Sequence, residues 1–317
     1  MSKEVMKNIE FGLMKLWTFE TIAYFANVPP EDLVLYIEII NKTKKQKYHL
    51  VMDPLPRIDY EYVMEYPLTE IEYPGDNDIM KIMICSDKHI GNIHDNLRYI
   101  KRMYKEAEER GVKLVLDCGD LIDPPDISET EKSMARSRCF SRTVSRLAQK
   151  HPKNLPTYFV TGNNESKMFW QSGISPGKVI SEVRKDIVCL DDNMFASIKI
   201  RNLVINMSHG LREKKKLSVV KHGAWHPYLL RNGPQIVCHG HFHEGKIMQV
   251  SDETLLCMAP AMIKGLPMSA YRKNDRGAIF LTIDEKKGGF FIESELVLDN
   301  TRERKVERTQ HYLIKKR

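Results

Sequence analysis

Five short segments of the 317-residue chain carry side chains suited to hard or borderline metal ions. They are Ser86-Asp87-Lys88-His89, Asp117-Cys118-Gly119-Asp120-Leu121-Ile122-Asp123, Thr161-Gly162-Asn163-Asn164-Glu165, Ser208-His209-Gly210 and His239-Gly240-His241-Phe242-His243. Mixed carboxylates and imidazoles suit paired divalent cations. One carboxylate can span two ions about 3.5 to 4 Å apart, and such a pair clamps the attacking and leaving oxygens of an in-line displacement. Taken singly, each segment has an ordinary explanation, since D-x-H and G-D pairs commonly make turns or caps. Their ordered succession is what points to chemistry.

Each segment follows a run that reads as a β-strand: 79–85, which is almost continuously apolar, then 112–117, 157–160, 203–207 and 236–238. Helical patterns over 96–110 and 128–149 alternate with the early strands, which predicts βαβ units and a sheet covered on both faces. Strands 196–200, 203–207, 236–238 and 278–283 have few helices between them, so a second sheet packed on the first is expected. The carboxyl ends of strands are where open α/β sheets place their ligands.

Ahead of this body, Thr18 is expected to cap a helix carrying Phe19, Ile22, Ala23 and Phe25. Asn27-Val28-Pro29 makes a turn, Pro30 opens a second helix with Leu33, Val34, Ile37 and Ile40 inward, and 48–52 is a short strand. The order resembles a winged helix-turn-helix, whose second helix would enter a DNA major groove. That helix carries Glu31, Asp32 and Glu38, which phosphate repels, and only Lys42, Lys44, Lys45 and Lys47 remain for a DNA backbone. A packing or protein-interaction role is therefore expected of the 1–52 unit ahead of DNA reading. Residues 53–78, rich in Pro, Tyr and acidic side chains, read as a linker.

The ordered set D-x-H, G-D-x-x-D, G-N-N-E, H-G and G-H-x-H, spread over 79–284, resembles the calcineurin-like metallophosphoesterases. The resemblance implies an α/β fold, a four-layer α/β/β/α sandwich over 79–300, behind the small winged-helix-like N-terminal domain. It implies that Asp87, His89, Asp120 and His243 hold a first ion, that Asp120 bridges, and that Asn163, His209 and His241 complete a second site. The ligand types suit manganese, the expected pair, and are compatible with Fe, Zn or Ni. A hydroxide between the two cations is the implied nucleophile.

One position departs from the family. Its third motif reads G-N-H-D/E, and the His stabilises phosphoryl oxygens and protonates the leaving group, whereas this chain has Asn164. An amide donates a hydrogen bond but supplies no proton near neutral pH. That favours diesters or activated leaving groups over alkyl phosphomonoesters. His94 and His239 are the nearby candidates for a replacement acid. Asp123 and Glu165 read as caps or as groups that orient ligands. Lys88, in an extended D-x-H segment, is expected to point away from the ligands into solvent.

The formal charge of +7 conceals an asymmetry: residues 1–78 carry 8 basic and 14 acidic side chains, or −6, which leaves +13 for the rest. Arg212, Lys214, Lys215 and Lys216 follow His209 and are expected at the rim of the metal pocket, where a polyanion would be drawn. Arg138, Arg142 and Arg146 line one face of the 128–149 helix. Residues 301–317 read as a mobile basic tail able to touch nucleic acid. The expected function is hydrolysis of a phosphodiester, in nucleic acid or a nucleotide. The alternatives are a protein or small-molecule phosphomonoesterase, and a non-catalytic scaffold that binds partners through the same fold.

At 42% hydrophobic residues, wholesale disorder is excluded. Six scattered cysteines without a CxxC pair read as buried thiols of a reducing cytosol. No apolar run approaches the roughly 18 residues that span a bilayer, and the charged start has no signal-peptide pattern. A cytoplasmic protein with no membrane partner is expected, its oligomeric state open.

Overall fold

The computed structural model describes residues 3–14, 19–43, 48–51, 57–59, 68–75, 78–124, 134–137, 139–191, 194–209, 234–263, 275–299 and 306–315. They fall in two compact units, one within Met1–Tyr66 and one from Pro67 onward.

The first unit has three helices, α1 (Lys3–Met14), α2 (Phe19–Ala26) and α3 (Pro30–Thr43), then an antiparallel pair, β1 (His49–Val51) and β2 (Arg57–Asp59). Ile9, Leu13, Phe19, Ile22, Leu33, Ile37 and Ile40 form its own core. Pro30 fits the first helical position, where its missing N–H costs nothing. Asn41 closes the end of α3: its amide donates to the Tyr48 carbonyl and its oxygen accepts the Tyr48 N–H, both at 2.6 Å. The expected cap Thr18 lies outside the described residues. Helix α1 was not anticipated, although Val5, Ile9 and Leu13 recur every four residues.

The second unit is a mixed α/β fold with two sheets. Its strands are β3 (Leu68–Glu70), β4 (Ile79–Cys85), β5 (Leu114–Asp117), β6 (Thr157–Val160), β7 (Ile187–Asp191), β8 (Phe195–Ile200), β9 (Leu203–His209), β10 (Gln235–Gly240), β11 (Lys246–Ser251), β12 (Thr254–Met258), β13 (Gly277–Lys286), β14 (Gly289–Leu298) and β15 (Val306–Lys315). Its helices are α4 (Leu97–Glu109), α5 (Phe140–Lys150), α6 (Asn163–Ser172) and α7 (Pro176–Val183). One sheet runs β15-β14-β13-β4-β5-β6-β7, parallel from β4 to β7 and antiparallel from β4 to β15. The other runs β11-β12-β10-β9-β8-β3.

Alternate residues of β4 and β5 explain the layers. Ile82, Ile84, Leu114 and Leu116 pack on Ile198, Ile205, Met207, Ile236 and Leu255 of the second sheet. Met83, Cys85 and Val115 face Ile100, Met103 and Tyr104 of α4, with Leu147 of α5 and Ile180 of α7 in the same cluster. Burial on both faces is why these strands read as continuous apolar runs. Among the described residues, helices cover only the seven-stranded sheet.

Several expectations are corrected. The second half of the 53–78 linker belongs to the body: β3 pairs in parallel with β8, and Ile71 and Tyr73 enter the inter-sheet core. The basic tail is not free, because β15 pairs along the whole of β14 and Ile314 is 0% exposed. Its charges masked an alternation that turns Tyr312 and Ile314 inward. Of the helix expected over 128–149, residues 128–133 lie outside the described residues, and α5 begins at Phe140. Arg138 lies outside the described residues, and Arg136 and Arg146 both grip Asp95, so the expected basic face is partly neutralised. Four cysteines are buried, but Cys139 is exposed and Cys189 half-buried, and all six are free thiols. No helix of the described residues is long and apolar enough to cross a membrane.

The pairing of β15 has a direct check. Ile314→Ala should cost about 2–5 kcal/mol in urea unfolding; a free tail would leave the midpoint unchanged.

Candidate metal centre

The loops leaving β4 and β5 continue side by side past the end of the sheet. The Asp87 N–H donates to the Gly119 carbonyl, the His89 N–H to the Asp120 carbonyl and the Ile90 N–H to the Leu121 carbonyl, at 2.9–3.0 Å. This lacing holds Asp87, His89 and Asp120 together. Two close approaches depend on glycine. A side chain at Gly162 would lie 2.0 Å from Asp120 Oδ1, and one at Gly119, where φ is +97°, would strike the His209 ring.

Two clusters result. Asp87, His89 and His243 offer one ligand atom each, and so do Asp120, His209 and His241; within each trio these atoms lie within 4.8 Å of one another. Asp120 links the trios, its Oδ2 standing 3.3 Å from His209 Nε2 and 3.8 Å from His89 Nε2. Asn163 Oδ1 joins the second trio 3.2 Å from His209 Nε2, and His241 Nδ1 approaches the same nitrogen at 3.2 Å. The sequence-predicted ligands are thus brought together. Five of them, Asp87, His89, Asp120, His241 and His243, have φ between 46° and 78°. Left-handed backbone costs a residue with a β-carbon about 1–3 kcal/mol and clusters at functional sites.

The donor set fits divalent cations. Oxygen and imidazole nitrogen suit the borderline first-row metals, and neither trio includes a thiol. The buried His89 Nε2 has no hydrogen-bond partner among the described residues, although it faces Asp87 and Asp120. Buried polar atoms rarely lack a partner, and an ion held between the carboxylates would supply one here.

The surrounding groups orient the ligands. His89 Nδ1 is 2.7 Å from Asp123 Oδ1, and His209 Nδ1 is 2.7 Å from the Cys118 carbonyl, so each ring turns its Nε2 inward. Asn92 donates to the other Asp123 oxygen at 2.7 Å. Glu165 accepts the N–H groups of Ile122 and Gly162 at 2.8 and 2.9 Å, which ties the second and third motifs. Burial, reinforced by Asp120, pushes the Glu165 carboxyl up to about 8. Burial also lowers His241 to about 4, the neighbouring His209 adding to it. His209 itself is raised to about 9: burial opposes its charge, but the Asp120 carboxylate outweighs that.

Asn164 uses both ends of its amide. It donates to Asp123 Oδ1 at 2.7 Å and accepts from the Asn163 amide at 2.9 Å, and its backbone N–H meets Asp120 Oδ1 at 2.9 Å. Neither candidate acid belongs to either trio. His239 sits in β10 with Nδ1 on the Ser208 hydroxyl, and His94 is half-buried in the loop before α4. Arg212, Lys214, Lys215 and Lys216 lie outside the described residues.

Lys88 points away from the ligands as expected, but into the interior and not into solvent. It is 0% exposed and pairs with Asp117 Oδ2 at 2.8 Å on the helical side of the sheet. Burial disfavours its charge, yet the Asp117 carboxylate holds the ammonium above its ordinary value. The signal was present. Asp117, a carboxylate at the end of the neighbouring strand, stands in register with Cys85, close behind Lys88.

Because a metal ion binds only the neutral His209 ring, protons compete with it. Apparent manganese affinity of the metal-free protein should therefore climb from about pH 6 to about pH 9 in calorimetric titrations. A flat profile would contradict the assignment of His209.

No curated protein matches the chain. Among solved structures, Vps29 of Chaetomium thermophilum is similar at 10% identity, covering 75% of this chain and 98% of that one with a TM-score of 0.41. A dimetal phosphatase from Danio rerio is similar at 10% identity, covering 74% and 99% with a TM-score of 0.38. The family model for calcineurin-like phosphoesterases matches residues 80–245, more than half of the chain, a span that includes all seven expected ligands. This chain accordingly belongs to the calcineurin-like phosphoesterase family, as a metal-dependent phosphoesterase.

Proposed function

We propose that the chain hydrolyses phosphodiesters, in nucleic acid or a nucleotide, with two divalent ions of which manganese is the foremost. The observation that carries this reading is Asn164. Its amide bonds Asp123 and Asn163, which suits it to orienting ligands, and an amide has no proton to deliver near neutral pH. Reaction then depends on the leaving group, and a poor alkoxide leaving unaided from a monoester is disfavoured.

The ions, when bound, supply Lewis acidity and lower the pKa of an attacking water. The chain's own part is orientation. Asp123 and the Cys118 carbonyl fix the rings of His89 and His209, while the Asn164 N–H and the His241 N–H each hold one oxygen of Asp120 and Asp87. The excess of +13 beyond residue 78 supports a polyanionic substrate through long-range attraction. For the N-terminal unit, Glu31 and Asp32 in the first turn of α3 support a protein-interaction role over DNA reading.

The manganese-loaded protein should cleave an aryl phosphodiester faster than an alkyl phosphomonoester, and marked preference for the monoester would overturn the proposal. Asp120→Asn should reduce hydrolysis to background. Asn164→His should raise the rate on the alkyl monoester by about 10²-fold, the lower end of what a positioned general acid contributes.

A further inference from the structure

We propose that Lys88 is a positioning residue of the metal centre, its buried side chain fixing the turn that presents Asp87 and His89 on the opposite side. The proposal rests on the two-ion reading of the site and is independent of the diester preference.

An ammonium has three N–H donors, and Lys88 has three acceptors: Asp117 Oδ2 at 2.8 Å, the Tyr104 hydroxyl at 2.8 Å and His151 Nε2 at 3.1 Å. Each partner is arranged to accept. His151 places Nδ1 3.1 Å from the Pro152 carbonyl, where only a protonated nitrogen bonds, which leaves Nε2 with its lone pair. Tyr104 has Thr157 Oγ1 at 2.9 Å to receive its own proton. The network draws on α4, β5, β6 and the residue that ends α5, so the lysine is held by most of the helical side of the sheet.

Asp117 carries the effect to the second ligand loop. Its Oδ2 holds the residue between Asp87 and His89, while its Oδ1 accepts the N–H of Gly119, the residue before Asp120, at 3.1 Å. One carboxylate thereby spans the two loops that supply three ligands, all at positive φ. Chain geometry does the rest, because a side chain clamped behind the turn fixes the direction of its two neighbours.

A purely structural role would show in melting alone, so the test reads metal binding. Wild type, Lys88→Met and the double variant Lys88→Met/Asp117→Leu are compared by thermal melting, manganese calorimetry and the visible spectrum of the cobalt-loaded protein. The single variant strands a buried carboxylate and should melt lower. The double variant leaves no unpaired charge and should melt near wild type. It should still bind manganese at least about tenfold more weakly and show an altered cobalt spectrum, as loss of an orienting partner does. Tyr104→Phe, which removes one acceptor and keeps the ring, should shift affinity in the same direction by less.

Wild-type affinity and spectrum in both the double variant and Tyr104→Phe would overturn this proposal alone. A wild-type protein that takes up no manganese would overturn the two-ion reading and this proposal with it.

Discussion

Asp87 and Asp120 are carboxylates with almost no exposure, placed where two sheets meet, and the surrounding structure exists to make that tolerable. A buried charge is costly unless it is paired and hydrogen-bonded. Here His243 and His209 flank the two carboxylates, and backbone N–H groups of His241 and Asn164 cap the remaining oxygens. Burial would raise the Asp120 carboxyl, but His209, helped by His89, holds it down to about 2. Divalent cations answer the same demand more completely, which is why the cluster suits them. The left-handed backbone at five ligands and the bare glycines beside them follow from packing so many polar groups into one small volume.

The meeting of Asp87, His89, Asp120, His209, His241 and His243 was legible because residue type, spacing and position at strand ends agreed, and only a shared pocket satisfies all three. The apolar runs 79–85 and 157–160 matched β4 and β6 residue for residue, since strands buried on both faces have no polar alternation to blur their limits. Strands β14 and β15 were missed for the converse reason. They lie toward the sheet edge, where exposed Glu293, Arg308 and His311 interleave with buried Ile292 and Ile314, and a charge count sees only the former. Lys88 was misread because exposure was inferred from its charge, whereas three acceptors from distant segments met it inside. Such partners become visible only when the chain is folded.

Asn164 shows how one substitution shifts a role without emptying a position. An imidazole there could carry a proton; the amide instead joins Asp123, which orients His89, to Asn163, which stands beside His209. Those contacts tie the third motif to the second.

The place of β4 also dictates when the protein can become itself. This strand, which delivers Asp87 and His89, lies between β5 and β13, a partner whose first residue is 277. At about 5–20 residues per second, a ribosome needs roughly 10–40 s to make the intervening chain. Throughout that interval one edge of a highly apolar strand lacks its native neighbour. Such distant pairings fold slowly and leave strand edges open to wrong associations. The metal centre, which needs residue 243, therefore assembles late in biosynthesis.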